Sequence, residues 1–278
     1  MSKIKFSVLM SVYKNDNPEY VEVAINSLIN QTLKPNQIVI MVDGPISSEL
    51  DNVLKKYKNN QLFDIYYRNV NKGLGITLNE GLRKCKYSYV ARMDADDESE
   101  NDRFEKQINY LSEHLDIDCI GSNMNEYDEK MDKIVSQKLV PQTSDEIKKY
   151  LKKRNPMNHP TVIYKKEKVL EVNSYEDYPF FEDYYLWAKM IKNGSNFYNI
   201  QENLYRFRAG SSMIKRRGGK SYLNNIKKLE KGLLNLNIIN KREYTSNIIK
   251  RYFIAIMPNS FRKIFYKVFL RKTRKNQK

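Results

Sequence analysis

The first hundred residues alternate between short apolar runs and stretches whose apolar residues recur at helical spacing. Continuous apolar runs predict buried β-strands at residues 6–12, 37–42, 64–67 and 87–93. Stretches with helical spacing of their apolar residues predict helices at 18–30, 50–57 and 76–85. Strands that alternate with helices indicate an α/β fold with a largely parallel sheet.

The pattern becomes mixed after residue 100. It predicts a helix at 103–115, a strand at 117–123, a polar stretch around 128–138 and a strand-like segment at 161–164. A helix-like segment, YYLWAKMIKNG, follows Glu182 and Asp183. This half is therefore expected to extend the sheet in a less regular way than the first.

Length and composition describe a folded protein. The chain has 278 residues, of which 41% are hydrophobic and 12% aromatic. Its two cysteines, Cys85 and Cys119, are too few for a disulfide framework or a zinc site, so we expect a reducing compartment, the cytoplasm by default. No window approaches the roughly 20 apolar residues of a membrane-spanning helix, so none is predicted.

The net charge of +16 is concentrated in one region. Residues 214–278 contain 19 basic and 2 acidic side chains, whereas residues 1–213 are close to neutral. This distribution predicts a main domain over 1–213 and a basic helical region over 214–278.

The basic region ends in a predicted amphipathic helix over residues 260–275. Phe261, Phe265 and Phe269 recur at helical spacing, while lysines and arginines occupy other positions. Such a helix can lie in the plane of an anionic membrane, which predicts a peripheral protein. Two alternatives remain: docking on its own domain or a partner chain, and binding of RNA or DNA through the same basic residues.

Acidic residues follow two of the predicted strands. Asp43 follows the strand at 37–42, and Asp94 and Asp96 follow the strand at 87–93. In open α/β sheets, ligands bind outside the carboxyl ends of the strands. Carboxylates at positions i and i+2 can approach one hard cation, Mg²⁺ or Mn²⁺, that bridges phosphate oxygens. An acidic turn is by itself more often a solvated loop, and its place after a buried strand is what favours a metal site.

Four further groups of residues are candidates for binding or catalysis. Lys72 and Gly73, in the segment NKGLG, precede a helix and can bring backbone amides close to a phosphate. Glu182 and Asp183 begin a helix, where acids also stabilise the helix dipole. His159 and Arg208 are the remaining candidates, with a structural role as the alternative for each.

Six segments occur in a fixed order: FSVLMSVYKND, NQIVIMVDGP, NKGLG, YVARMDADDESENDRFEKQ, NHPTVIY and FFEDYYLW. Together they resemble the family 2 inverting glycosyltransferases of bacterial capsule, O-antigen or exopolysaccharide biosynthesis, over roughly residues 4–210. The resemblance implies a GT-A fold, in which a Rossmann-like nucleotide-binding half (1–100) and an acceptor half (101–213) share one mixed sheet.

The resemblance also implies roles in donor binding. Ser11 and Tyr13 would lie against the nucleotide base, and Asp43 would accept a hydrogen bond from a uracil imide. The family often has two acids before Gly-Ser at that point, whereas this chain has the single acid Asp43 before Gly44-Pro45. Lys72 and Gly73 would be close to the nucleotide, and His159 and Arg208 close to the donor sugar or its diphosphate.

The metal and the chemistry follow from the same resemblance. Asp96 would be the principal ligand of Mn²⁺ or Mg²⁺, with Asp94 as its partner in a DXD motif, and Asp97 is left unassigned. Asp183 would be the general base, and Glu182 would orient it or contact the donor sugar. Arg103 and Gln107, on the helix after the acidic turn, are expected to brace that turn.

The expected activity is metal-dependent, inverting transfer of a sugar from a nucleotide-diphosphate donor, a UDP-sugar by expectation. The acceptor would be a hydroxyl of a saccharide or of a polyprenyl-diphosphate-linked saccharide at the inner face of the cell membrane. Nucleic acid is not an expected partner, because the near-neutral residues 1–213 lack a recognised nucleic-acid motif.

Overall fold

The computed structural model describes residues 4–209 and 219–256. Within them, the strands are β1 (Phe6–Val12), β2 (Gln37–Val42), β3 (Phe63–Tyr67), β4 (Tyr89–Met93), β5 (Glu98–Ser99), β6 (Cys119–Tyr127), β7 (Ile134–Lys138), β8 (Ile163–Lys165) and β9 (Phe197–Arg208). The helices are α1 (Pro18–Ile29), α2 (Ser48–Lys55), α3 (Leu74–Lys84), α4 (Arg103–Glu113), α5 (Ser144–Leu151), α6 (Lys166–Glu171), α7 (Glu182–Lys192), α8 (Gly219–Asn235) and α9 (Lys241–Ile256).

All nine of these strands belong to one sheet, in the order β3-β2-β1-β4-β8-β6-β9-β5, with β7 paired to β6. The strands β3, β2, β1 and β4 are parallel, and β8 is antiparallel to both β4 and β6. A long parallel pairing then joins β6 to β9. The predicted α/β class, with two halves merged in one mixed sheet, is confirmed.

The core lies on both faces of the sheet, which explains the largely apolar runs of the first strands. Phe6, Val8 and Met10 of β1 pack in one apolar cluster, and Leu9 packs in the other. Side chains alternate across a strand, so a strand covered by helices on both faces is apolar at most positions, and its buried polar side chains are hydrogen-bonded, as Ser7 is to Gln37. All six residues of β2 are buried for the same reason.

The structure of the second half adds to or departs from the sequence-based elements at two places. The polar stretch at 128–138 contains β7, which pairs only with β6 and leaves Ile134 and Val135 exposed, so it lacks an apolar run. The segment at 161–164 begins as a 3₁₀ turn, His159–Thr161, and becomes strand only at Ile163, because Pro160 favours a turn there.

The helices α8 and α9 pack against each other, and α8 packs on α7. Among the described residues, no helix combines the length and the apolar character needed to cross a bilayer. The predicted boundary at 213/214 and the predicted helix at 260–275 lie outside the described residues.

Candidate active site

The carboxyl ends of β1, β2 and β4 meet at one edge of the sheet. Val12 of β1 pairs with Val42 of β2, so the residues that follow them emerge side by side. Ser11 is partly buried near the end of β1, and the side chain of Tyr13 is 37% exposed beyond it. The backbone amide of Tyr13 donates a hydrogen bond to Asp16 Oδ2 at 2.9 Å.

Asp43 is joined to the loop that contains Lys72 and Gly73. Its side chain is 3% exposed; Oδ1 accepts from the Lys72 amide at 2.9 Å, and Oδ2 accepts from the Gly73 amide at 3.0 Å. Arg68 forms an ion pair with the same carboxylate at 3.1 Å. Gly73 has a φ of +86°, a conformation that favours glycine, and it caps α3. The structure thus places three predicted donor-site residues together.

The Asp94–Asp97 loop rests on a buried arginine of β4. Arg92 Nη2 contacts Asp94 Oδ1 at 2.5 Å, and Nη1 donates to the carbonyl oxygens of Leu9 and Met93, both at 2.8 Å. Arg92 is inaccessible to solvent, whereas the side chain of Asp94 is 31% exposed. The arginine therefore fixes one carboxylate oxygen of Asp94 while the side chain remains accessible to solvent.

Asp97, left unassigned from the sequence, anchors this loop to β9. It is 1% exposed, and its Oδ1 accepts from the backbone amide of Arg208 at 2.7 Å. Burial, together with the neighbouring charges of Asp96 and Asp94, raises the pKa of Asp97 well above its usual range.

Arg208 lies against the same loop. Its Nε donates to the carbonyl oxygen of Asp96 at 2.8 Å, and its guanidinium carbon is 3.7 Å from the ring centroid of Tyr20. It also donates to the carbonyl oxygen of Glu129. In this structure, the guanidinium holds the backbone of the acidic loop, and the predicted contact of Arg208 with a donor sugar stays a prediction.

Arg103 and Gln107 of α4 contact the backbone beneath the loop. Arg103 donates to Gln107 Oε1 at 3.1 Å and to the carbonyl oxygen of Arg92 at 3.0 Å. Gln107 donates to the carbonyl oxygen of Thr161 at 2.8 Å. These bonds connect the end of β4 with the 3₁₀ turn of the second half.

The pair Glu182 and Asp183 occupies the first turn of α7. Asp183 Oδ2 accepts from Asn155 Nδ2 at 2.6 Å, and Oδ1 accepts from the Tyr184 amide at 2.7 Å. Burial raises the pKa of Asp183, the Asn155 bond opposes that rise, and the charge of Asp94 adds to it. Burial raises the pKa of Glu182 to about 7, and Asp183 contributes.

His159 contacts Arg92, the arginine that also holds Asp94. Its Nε2 is 3.0 Å from the Tyr175 hydroxyl and 3.3 Å from Arg92 Nε. Because Arg92 can only donate, the hydrogen-bond network assigns Nε2 as the acceptor and places the ring proton on Nδ1. Burial, with the charges of Arg92 and Lys138, holds the pKa of His159 well below its usual value, so the ring is neutral.

Sequence reasoning missed Asp16, Asn155 and Lys138. Burial raises the pKa of Asp16 to about 7, and the charges of Asp96 and Asp94 add to the rise, so Asp16 faces the acidic loop. The strand-end rule that selected Asp43 would also have found Asp16, which closely follows β1. Asn155 and Lys138 gave no comparable signal.

The oxygen ligands that the acidic loop offers fit a hard cation. Asp94 and Asp96 offer carboxylate oxygens, and the mutual repulsion seen at Asp16 and Asp97 favours a positive charge. The described residues contain no cluster of three or more His, Cys, Asp or Glu side chains arranged to hold a metal. A cation here would match the coordination usual for Mg²⁺, with one or two carboxylates plus water and substrate phosphates.

Solved structures define the class of fold. The chain superposes on Staphylococcus aureus TarS 1–349 in complex with UDP-GlcNAc with a TM-score of 0.67 at 18% identity, covering 95% of this chain and 75% of that one. It spans 44% of the length of a longer TarS structure. The likeness establishes the GT-A fold, an α/β sheet extended by a second half.

Sequence comparison gives the family. The model for Glycosyl transferase family 2 matches residues 7–177. The chain is 35% identical to UDP-Gal:alpha-D-GlcNAc-diphosphoundecaprenol beta-1,3-galactosyltransferase of Escherichia coli over 96% of this chain and 97% of that protein. It is 37% identical to the amylovoran biosynthesis glycosyltransferase AmsE of Erwinia amylovora, over 78% of this chain and 81% of AmsE. The chain therefore belongs to glycosyltransferase family 2, which confirms the resemblance.

Proposed function

We propose that this glycosyltransferase moves a sugar from a UDP-sugar to a hydroxyl of a lipid-linked saccharide during surface-polysaccharide biosynthesis, with inversion at the anomeric carbon. The names of two relatives support the substrates, because one uses UDP-Gal and a diphosphoundecaprenol-linked acceptor and the other acts in amylovoran biosynthesis. The near-neutral body and the acidic loop at the carboxyl end of β4 favour this function over nucleic-acid binding.

The observation that carries the proposal is the proximity of two carboxylates from distant parts of the chain. Asp94 follows β4 and Asp183 lies in the first turn of α7; burial raises the pKa of Asp183, and the charge of Asp94 adds to the rise. A metal-binding carboxylate and a partly buried candidate base would therefore lie on either side of the donor sugar. Displacement at an anomeric carbon requires this arrangement, with the leaving group and the base on opposite faces of the sugar.

The nucleotide would occupy the edge formed by β1 and β2. Tyr13 is exposed enough to stack on a base, and Ser11 lies beside it at the end of β1. The exposed side chain of Lys72 can reach a diphosphate, while Asp43 holds the backbone of that loop in place. Asp43 can still accept from a uracil imide, because a carboxylate has about four acceptor sites.

Asp96 and Asp94 would hold Mn²⁺ or Mg²⁺ against the diphosphate, where the cation neutralises charge on the departing nucleotide. The protein residues around them have defined tasks. Arg92 orients Asp94, and Arg208 holds the backbone of Asp96. The neutral ring of His159 can donate through Nδ1 to an oxygen of the donor.

Asp183 would accept the proton of the acceptor hydroxyl. A bond forms between the acceptor oxygen and the anomeric carbon, and the bond from that carbon to the diphosphate breaks, with the electron pair leaving on the diphosphate. The raised pKa of Asp183 makes it a better base than a solvated aspartate. Asn155 holds Asp183 by its hydrogen bond, and Glu182 beside it would orient the donor sugar.

The first experiment is a screen of nucleotide sugars by thermal shift, with and without Mn²⁺, followed by turnover on polyprenyl-diphosphate-linked saccharides. Asp183→Asn is expected to lower kcat by about 1,000-fold with donor binding retained, because only the base is lost. Asp96→Asn is expected to abolish the metal-dependent part of the donor shift. Asp132→Asn, at an exposed acid elsewhere, serves as the control.

Wild-type turnover by Asp183→Asn or Asp96→Asn would reject these assignments. The stereochemistry has its own test, since the anomeric configuration of the product can be read from its proton coupling constants. A product that keeps the configuration of the donor would exclude a single displacement.

A further inference from the structure

The outward face of α9 carries an exposed apolar cluster. Ile249, Tyr252 and Phe253 are 51%, 48% and 57% exposed, respectively. At about 100° per residue, the three side chains fall within an arc of about 100°, opposite the buried Asn247. Three aliphatic or aromatic side chains exposed together on one helix face are unusual for a surface that only meets water.

The charges around this cluster have one sign. Lys241, Arg242 and Lys250 of α9 are exposed, and residues 214–278 contain only two acids, Glu230 and Glu243. Glu230 is inaccessible to solvent, where it forms an ion pair with Arg251 at 2.9 Å and accepts from Asn247 at 3.0 Å.

Glu243 is also engaged by the protein itself. It accepts from Lys152 at 3.3 Å and from the backbone amide of Asn240 at 2.9 Å. Both acids of this region are thus directed toward the body of the protein. The outward face of α9, over its described side chains, presents apolar and cationic groups without a carboxylate.

We propose that this face of α9, defined by Ile249, Tyr252 and Phe253 with its flanking cations, is the surface by which the protein docks on an anionic lipid bilayer. Apolar side chains enter the headgroup region while lysine and arginine attract anionic lipids, and the two effects add. This inference rests on the proposed function, from which it takes the lipid-linked acceptor. It adds the surface by which the enzyme would reach that acceptor.

The helices α8 and α9 connect this surface to α7, which contains the proposed base Asp183. Lys228 of α8 forms an ion pair with Asp177 at 3.0 Å, in the segment that leads into α7. The guanidinium of Arg251 lies 5.7 Å from the ring centroid of Tyr184, the neighbour of Asp183. The docked surface would therefore hold the start of α7 in a defined relation to the bilayer, where a lipid-linked acceptor arrives.

The test replaces the apolar cluster in the full-length chain, as Ile249→Ser, Tyr252→Ser and Phe253→Ser together. Binding is measured by co-sedimentation with vesicles of equal parts phosphatidylglycerol and phosphatidylcholine. We expect the partition coefficient to fall at least about tenfold, because three apolar groups lose their burial in lipid. The matched control is Val23→Ser, Leu115→Ser and Leu170→Ser, three exposed apolar residues elsewhere, which should bind as the wild type does.

A fluorescent probe reports insertion directly. The native Trp187 is fully buried, so Tyr252→Trp adds one exposed indole. Its emission is expected to shift to the blue with these vesicles and to be quenched by lipids brominated on the acyl chain, whereas a Leu115→Trp probe should not respond. Unchanged vesicle binding by the triple variant, or no quenching at position 252, would overturn the proposal.

Turnover separates this inference from the proposed function. Without lipid, the triple variant is expected to transfer sugar to a water-soluble acceptor at the wild-type rate. If the wild type binds vesicles as expected but turns over no nucleotide sugar, the proposed function fails and the docking surface stands. If the wild type is active but self-associates through this face instead of binding vesicles, the docking surface is rejected.

Discussion

Charged side chains with almost no solvent contact surround the Asp94–Asp97 loop. Arg92 and Arg103 are inaccessible and Asp97 is 1% exposed, and each has hydrogen-bond partners in the backbone nearby. Burial lowers the pKa of Arg103 to about 10, which still leaves it charged near neutral pH. Buried charges persist where the structure fixes them, so the loop is held in place before any substrate binds.

The contribution of the buried Asp43 carboxylate to stability can be compared with that of a surface carboxylate. Asp43→Ala is expected to lower the free energy of unfolding by about 3 kcal/mol or more, because it removes the acceptor of two loop amides and leaves buried Arg68 without one partner. Urea unfolding measures the loss. Asp51→Ala, which removes a more exposed ion pair with Lys55, should cost less than about 1 kcal/mol. Equal losses would contradict a structural role for Asp43.

The pH dependence of turnover tests the contact between Asn155 and Asp183. Asp183, the proposed general base, must be ionised to act, so kcat/KM is expected to rise with pH through the pKa of Asp183, which burial has already raised. Asn155→Ala removes the hydrogen bond that opposes this rise. The acid limb of the profile should therefore move to higher pH, and turnover at a fixed pH on that limb should fall.

The control for this change lies at the other end of the same helix. Asn193 is exposed at the C-cap of α7, and Asn193→Ala should leave the pH profile unchanged. A profile for Asn155→Ala that coincides with the wild type would mean that Asn155 does not act on the base.

Residues at strand ends could be predicted from the sequence, and residues brought in by packing could not. Asp43 and Asp94 follow apolar runs that are easily recognised, and parallel strands place such ends together. Asn155 precedes the 3₁₀ turn, and only the packing of that turn beside α7 brings it to Asp183. No local pattern specifies that meeting.

At the scale of elements, α3 shows how closely the helices approach the sheet. A Cβ at Gly81 would lie 2.7 Å from Met41 Cγ of β2 and still closer to Leu9 of β1. Gly81→Ala is therefore expected to destabilise the protein by about 1–3 kcal/mol, measured as the free energy of unfolding.

Gly75 of the same helix supplies the opposite case. A Cβ there meets its nearest neighbour, Glu182 Cγ, at 3.5 Å, an ordinary contact. Gly75→Ala should stabilise the protein by up to about 1 kcal/mol, through the helix propensity of alanine. Loss of stability in Gly75→Ala as well would contradict the ordinary spacing around Gly75.

The prediction of elements succeeded where burial on both faces leaves a strong pattern. The strands β1 and β2 were located to the residue because burial on both faces leaves most of their positions apolar. The strand β7 was missed because it pairs with one neighbour and faces water, so its pattern resembles a loop.

At the scale of the whole molecule, the two halves share their core. Val90 of β4 pairs with Tyr164 of β8, and Leu78 of α3 belongs to the same apolar cluster as Trp187 of α7. Residues 1–100 alone are thus expected to lack cooperative unfolding in circular dichroism, in contrast to the full chain. A sharp melting transition of that fragment would identify it as an autonomous domain.

The pairing of β5 with β9 has a consequence for recombination between relatives. Glu98 and Ser99, next to the acidic loop, pair with Arg206 and Tyr205, more than a hundred positions later. An exchange of everything after residue 100 would replace the partner of β5 and also Arg208, whose side chain holds the backbone of Asp96. The strand β6 pairs along β9 as well. Hybrid enzymes should therefore inherit β5, β6 and β9 from a single parent.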